Sequence, residues 1–409
     1  MSRYTTLTAA LRRAATSSVV LLWSTVAFGQ AGGIAFPAPG GPTSGTSQAG
    51  QAAVARDAST AWLNPAGLTR LDKFQLLLDA QIVNLDVEFN PDPATTTTGS
   101  DGGNAGDTLP AGSFYLALPI SERVTFGASL TAPYGLPLEY KSDWAGRSFV
   151  TEIDLLVINI EPSLGIKVSD WVSVGIGLDF QFADLEQKLI VPVGATEIEA
   201  KITGDNWAVG ASLGLLIEPS ETTRFGLRYR SQVDHDLEGD LTTIGTLQTS
   251  ASLTTPQSLT FSAYHELNER WTLLADAGWT DWSAFDRTVI NISAIPIEAD
   301  IPRNWKDTWN VGLGAHYRLT QNWLLMTGVS YVSSSVDDAD RTPDIPVDEQ
   351  WRFAIGVENE MSGSFRWGAT FSFVDLGDDK TDATNFAGRL VGDYDSTMQT
   401  ISVYGSWTF

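Results

Sequence analysis

"WNVGLGAHYRL", residues 309–319, decides the fold of this 409-residue chain. Its odd positions are Trp309, Val311, Leu313, Ala315, Tyr317 and Leu319; the even ones are Asn310, Gly312, Gly314, His316 and Arg318. Strict alternation puts successive side chains on opposite faces of a β-strand, here one apolar and one polar. The same rhythm runs through Arg224 to Arg230 and through the terminal "ISVYGSWTF", residues 401–409. Neither stretch has the run of about 20 apolar residues that a membrane-spanning helix needs. A strand in a barrel wall crosses a bilayer with only alternate residues apolar.

Outward from this stretch, turn chemistry punctuates the chain in two ways. Short connections fall at Ser121-Glu122, Ser169-Asp170, Pro219 to Thr222, Asn268-Glu269, Thr320 to Asn322 and Ser362-Gly363. Long polar ones fall at 90–111, 134–150, 189–205, 234–254, 284–307, 334–349 and 377–396. About fourteen strands fit between them, an even number with short turns on one side and long loops on the other, as in outer-membrane barrels. Trp171, Trp271, Trp323 and Phe365 stand beside the short turns, where aromatic girdles meet the interface. A secreted β-sandwich also alternates, but it predicts no such rhythm of turns. The expected fold is all-β: a transmembrane antiparallel barrel over residues 74–409, localised to the bacterial outer membrane.

Residues 1–29 read as a cleaved signal peptide. Arg3, Arg12 and Arg13 precede the apolar run Val19 to Phe28, and Ala27-Phe28-Gly29 ends it as a small-x-small site before Gln30. Residues 30–73 do not alternate and are rich in Gly, Ala, Ser, Thr and Pro. A lumen of about fourteen strands is too wide for its own side chains to fill, so this segment is expected to plug it. With 49 acidic against 25 basic groups, the chain is unsuited to nucleic acid, whose phosphates demand a basic surface. No Cys and only three His leave little room for catalysis or His-based metal ligation, so the chain is expected to be no enzyme and to carry no cofactor. The acids Asp337, Asp338, Asp340, Asp344, Asp348 and Glu349 could hold calcium through oxygen, but read better as a solvated loop.

"GQAAVARDASTAWLNPAGLTRL", residues 50–71, resembles the hatch segment of the FadL/TodX-type outer-membrane transporters of long-chain fatty acids and hydrophobic compounds. "YGLPLEY", "EPSLGIKV", "LRYRSQV", "WTDWSAF" and "IPVDEQWRFAIG" are similar to further landmarks of that family, in its order. The resemblance implies a fourteen-stranded barrel, an amino-terminal hatch, and lateral release of cargo into the membrane through a gap in the third strand. The short 189–205 stretch departs from the long excursion that shapes the family's capture groove. Partners implied are a hydrophobic ligand, outer-membrane lipid and lipopolysaccharide, and the barrel-assembly machinery through Phe409, with the chain acting as a monomer.

On this reading Ala132, Pro133 and Gly135 break the third strand, because Pro133 has no N–H and Gly135 lets the backbone bend. The hatch turn Asn64-Pro65-Ala66 is expected to seal that break. Ile34 and Phe36 are candidates for the apolar pocket. Arg228, Arg230 and Lys306 face the lumen and are expected either to brace acids such as Glu161 or to meet a ligand carboxylate, Lys306 foremost. A general diffusion porin for small polar solutes and a structural or adhesive barrel remain the alternatives.

Overall fold

The computed structural model describes residues 33–34, 40–292 and 297–409. The expected signal peptide, residues 1–29, and Phe36 lie outside them. Eighteen strand segments form a single antiparallel sheet that closes on itself. They are β1 (Gln75–Pro91), β2 (Thr108–Pro119), β3 (Val124–Glu139), β4 (Glu152–Lys167), β5 (Val172–Val193), β6 (Thr196–Ser220), β7 (Thr223–Arg230), β8 (Val233–Thr242) and β9 (Thr246–Thr255). There follow β10 (Ser258–Glu266), β11 (Trp271–Thr280), β12 (Arg287–Ile292), β13 (Ile297–Pro302), β14 (Thr308–Arg318), β15 (Trp323–Val332), β16 (Gln350–Ser362), β17 (Phe365–Asn385) and β18 (Gly388–Thr408). Four staves are each made of two segments, β7–β8, β9–β10, β11–β12 and β13–β14, so the barrel has fourteen staves. β1 and β18 close it in continuous register from Gln75↔Thr408 to Pro91↔Gly392. The Phe409 N–H donates to the Phe74 carbonyl at 2.9 Å, which carries the seam to the carboxy terminus.

The alternation sorts the two faces. Trp309, Val311 and Leu313 point outward and are exposed, as are Ile401 and Val403, while Ser402, Tyr404 and Ser406 are buried inside. Aromatic pairs mark both rims of the outer apolar belt. Trp271–Tyr317 (ring centroids 4.6 Å apart) and Trp323–Trp367 (6.0 Å) stand at the short-turn end, and Phe182–Trp207 (5.2 Å) and Tyr331–Trp351 (5.0 Å) above. No described helix is long and apolar enough to cross a membrane.

Several stretches expected as long loops are strand. β5 and β6 pair without a break to Val193↔Thr196, so 189–205 is the tip of a tall hairpin. β8–β9, β12–β13 and β17–β18 rise in the same way. The pleat persists above the apolar belt because backbone pairing does not need an apolar face. Composition alone reads such polar strands as loop.

Residues Gly40 to Leu68 are almost wholly buried. They form short helical turns (Pro42–Thr46, Gln51–Val54, Thr60–Leu63 and Pro65–Arg70) packed on the inner faces of strands around the barrel. Each contact answers a specific backbone group. Asp79 Oδ2 accepts from Gly41 N at 3.0 Å, Asp276 Oδ1 from Gly50 N at 3.0 Å, and Ser262 Oγ from Ala52 N at 2.9 Å. Arg224 donates to the Ala53 and Val54 carbonyls, both at 3.0 Å.

Candidate functional site

β3 does not end at Thr131. It runs on to Glu139, paired throughout with β4, but with one extra residue between Thr131↔Asn159 and Tyr134↔Val157. Ala132-Pro133 is therefore a β-bulge. On its other side β3 parts from β2. Their ladder spans Pro119↔Thr125 to Phe114↔Leu130 and stops, while Thr108 to Ser113 pair only with β1. The wall is open between β2 and β3 along Thr131 to Leu138.

Exposed donors at such an opening would cost several kcal/mol each in hydrocarbon. The chain leaves few. Gly135 N donates into the gap to the Ile34 carbonyl at 3.1 Å, and Glu139 N donates to Ala105 O at 2.9 Å where the opening ends. Residues 135, 137 and 139 share an edge because N–H groups alternate along a strand. The member between the two bonded ones is Pro137, which has no donor; Pro133 lacks one at the bulge, as does Pro110 on the β2 lip.

Ile34 sits in an apolar cavity behind this gap, lined also by Leu85, Val87, Leu136, Val347 and Met398. Gly33 has φ +56, and a Cβ there would lie 2.6 Å from the Trp305 ring. Trp305 and Trp282 (5.1 Å apart) join Phe285 and Tyr134 in an aromatic wall beside Gly33.

The Asn64-Pro65-Ala66 turn does not lie at the bulge. It packs on small residues of β4, β5 and β6, where a Cβ on Gly165 would fall 2.6 Å from Pro65 O. Gly165 is seven residues below Ile158, about 20 Å along the strand. The Asn64 amide donates to Ala52 O (2.7 Å) and Leu215 O (3.1 Å) and accepts from Ala66 N (3.1 Å). It ties the buried segment to the wall; the gap is met by Ile34 instead. The expectation failed because the turn's reach was judged from its chemistry, without the register that sets its height.

The three cations separate as well. Arg230 is buried and doubly paired: it meets Glu161 at 2.9 Å and also Asp179, and stacks 3.5 Å over the Trp62 ring. Lys306 is about half exposed in the outer connection and pairs with Asp337, so it does not face the lumen. Only 8 % of Arg228 is exposed, yet among the described residues it has no hydrogen-bond or ion-pair partner, only the Trp62 ring at 5.4 Å. Lys306 was misplaced because strand parity was extended back past Thr308, where β14 begins.

Above the cavity, residues 333–349 fold over the barrel mouth. Arg303 makes a two-pronged pair with Asp344 (2.9 and 2.8 Å), and Arg341 holds Asp338 at 2.9 Å and Asp348 at 3.1 Å. The Asp344 carboxyl is held below its usual range: burial alone would raise it, and the Arg303 charge and hydrogen bonds override that. Asp337, Asp338, Asp344 and Asp348 are thus engaged by arginine or lysine, while Asp340 accepts from Asn304 Nδ2 at 2.7 Å and Glu349 from the Tyr331 hydroxyl at 2.6 Å. No cluster of three or more metal-ligating side chains occurs among the described residues.

Trp62, Tyr134, Trp282, Trp305 and Asp179 escaped sequence reading as site residues. Asp179 alone had a usable signal, since it shares inward parity with Gln181 across the register from Asn159 and Glu161.

Residues 21–409 match the family model described as outer membrane protein transport protein (OMPP1/FadL/TodX). The chain is 26 % identical over 356 residues to the long-chain fatty acid transport protein of Escherichia coli O6:H1, covering 76 % of this chain and 80 % of that one. Its fold matches the crystal structure of a Pseudomonas aeruginosa FadL homologue with TM-score 0.86, at 23 % identity over 92 % of this chain and all of the other. It matches the Pseudomonas putida toluene transporter TodX with TM-score 0.69, at 19 % identity over 86 % and 94 %. A closed fourteen-stave barrel with an apolar outer belt thus coincides with a family match over nearly the whole chain: the protein belongs to the OMPP1/FadL/TodX family of outer-membrane transport proteins and is not an enzyme.

Proposed function

We propose that this chain takes up hydrophobic compounds passively and releases them sideways into the bilayer through the opening between β2 and β3. The observation that carries this is the donor arrangement at the gap. Two prolines on β3 and one on β2 remove N–H groups where the ladder is missing, and Gly135 is capped by the Ile34 carbonyl. A wall opened by accident would expose donors to lipid. Gly40–Leu71 serves as the hatch that blocks the straight path, held by carboxylates and arginine. Ile34 occupies the apolar cavity and the gap together, so cargo entering the cavity competes with the group that seals the exit. A relative named long-chain fatty acid transport protein and similar solved structures described as a toluene transporter and a monoaromatic hydrocarbon channel support fatty acids and monoaromatic hydrocarbons as candidate cargoes.

The test is to remove the bulge with Ala132→Val and Pro133→Thr together, and to measure uptake in cells with matched barrel levels. Uptake should be abolished while ligand still binds the purified barrel. Unchanged uptake would eliminate sideways release and point to passage along the hatch.

A further inference from the structure

The inner wall beneath the β3 bulge holds several buried polar atoms without a hydrogen-bond partner among the described residues, each of which calls for an explanation. Thr131 and Asn159 face each other across β3 and β4, and Asn159 and Gln181 across β4 and β5. Thr131, Asn159 and Asp179 are each at most 2 % exposed. Among the described residues Thr131 Oγ1, Asn159 Oδ1 and Asp179 Oδ2 have no hydrogen-bond partner. Nδ1 of His235 is likewise unpartnered, although its Nε2 lies 3.3 Å from Gln181 Oε1. Arg228 adds a guanidinium with five donors, none of them hydrogen-bonded among the described residues, with the Trp62 ring 5.4 Å away.

The charges in this patch already balance. Arg228 and Arg230 stand against Glu161 and Asp179, all four at least nine-tenths buried. A carboxylate guest would satisfy Arg228 but leave one uncompensated negative charge in a dry site, and would have nothing to offer the acceptors Asp179 Oδ2 and Asn159 Oδ1. A pure hydrocarbon would satisfy neither side. A hydroxyl does both at once, accepting from the guanidinium and donating to an acceptor. Tyr134, just past Thr131 across the bulge, belongs to the same buried apolar cluster as Ile34, so the polar patch ends where that cluster begins.

We infer that this patch receives the neutral, hydroxyl-bearing end of an otherwise apolar molecule, a long-chain alcohol or similarly hydroxylated compound, whose chain displaces Ile34 from its apolar cavity. The assignment rests on the reading that the lumen carries apolar cargo past the bulge, and it names the class of that cargo. Arg228, Thr131, Asn159 and Asp179 set the specificity, and Arg230 positions them through its two acids.

The full barrel, reconstituted in lipid nanodiscs at pH 8, is loaded with a lipophilic fluorescent probe and titrated with dodecanol, dodecanoate or dodecane. Dodecanol should displace the probe at a concentration about tenfold lower than dodecane, the worth of one hydrogen bond to a charged group. Dodecanoate should do no better than the alkane. Arg228→Met should erase the alcohol's advantage, and Thr131→Val, which keeps every charge, should reduce it. Dodecanoate binding tightest would overturn the proposal in favour of an anion site. Equal displacement by alcohol and alkane would also overturn it, with the patch holding water only, and would leave the transport reading standing. Failure of all three to displace the probe would overturn both.

Discussion

Two seams in this barrel wall behave in opposite ways. Between β1 and β18, the chain's two ends meet in seventeen registered pairs without a bulge. Between β2 and β3, neighbours in sequence joined by a tight turn, only six pairs form before the strands part. Proximity in the chain would favour the second seam, since its loop closure is cheap. The difference lies in side chains and donors. The β1–β18 seam has no proline in β18, and its only one in β1 is the last residue, Pro91. The other places Pro110, Pro133 and Pro137 where bonds would have formed. A barrel wall opens where the sequence withdraws the donors, not where the chain is weakest.

Moving that chemistry should break the comparison most strongly. Val403 lies in β18 between β1 and β17, so Val403→Pro removes a ladder donor with no substitute and should cut the yield of assembled barrel by about tenfold or more. Pro137→Thr in β3 should leave assembly untouched. Heat-modifiability on gels, comparing the folded fraction of each, checks both.

Arg303→Met leaves Asp344 buried without its partner, a loss of roughly 3–5 kcal/mol in comparable pairs. Proteolysis of the 333–349 segment should accelerate accordingly while the barrel stays intact. In the unaltered protein the pair's contribution follows pH in a fixed direction. Asp344 is held low in the fold, so its stabilisation is present above the ordinary carboxylate range and is lost as pH falls through the lowered value. Protection of the segment should therefore be flat from neutral pH downward and fail only in strong acid.

Ile34→Ala empties part of the cavity without touching the carbonyl that caps Gly135. Affinity for bulky cargo should rise by less than about tenfold, or 1.4 kcal/mol, with assembly unchanged. The smallest effect belongs to Lys306→Ala. An exposed pair of this kind contributes at most about 1 kcal/mol to stability, and its distance from the cavity should leave binding of acids and hydrocarbons alike within about twofold.

The barrel was legible because alternation is a local property written into every strand. Fourteen staves could be counted from "WNVGLGAHYRL" and its repeats. The bulge at Ala132-Pro133 was legible for a similar reason, since a missing N–H is visible in the residue name. What could not be read were heights and depths. Asn64 has the chemistry to bridge a broken ladder, yet it sits about 20 Å too low to do so. Lys306 has the right parity but lies beyond the end of its strand. Arg228 and Arg230 look alike in sequence, and only the positions of Glu161 and Asp179 show that Arg230 is the one that forms ion pairs with both acids. Each depends on register between strands, which the hydrophobic pattern fixes only to within the pleat.

The most direct test ties each seam shut. The chain has no cysteine, so pairs can be introduced without background. Extending the β2–β3 register past Phe114↔Leu130 would bring Gly112 opposite Ala132, and Ile82 faces Ile401 across the closed seam. Gly112→Cys with Ala132→Cys, and Ile82→Cys with Ile401→Cys, are each bridged by a short thiol-specific cross-linker in assembled barrels, and uptake of a hydrophobic probe is followed. Bridging β2 to β3 should stop uptake and leave probe binding intact, whereas bridging β1 to β18 should change neither. Undiminished uptake with β2 and β3 bridged would contradict sideways release.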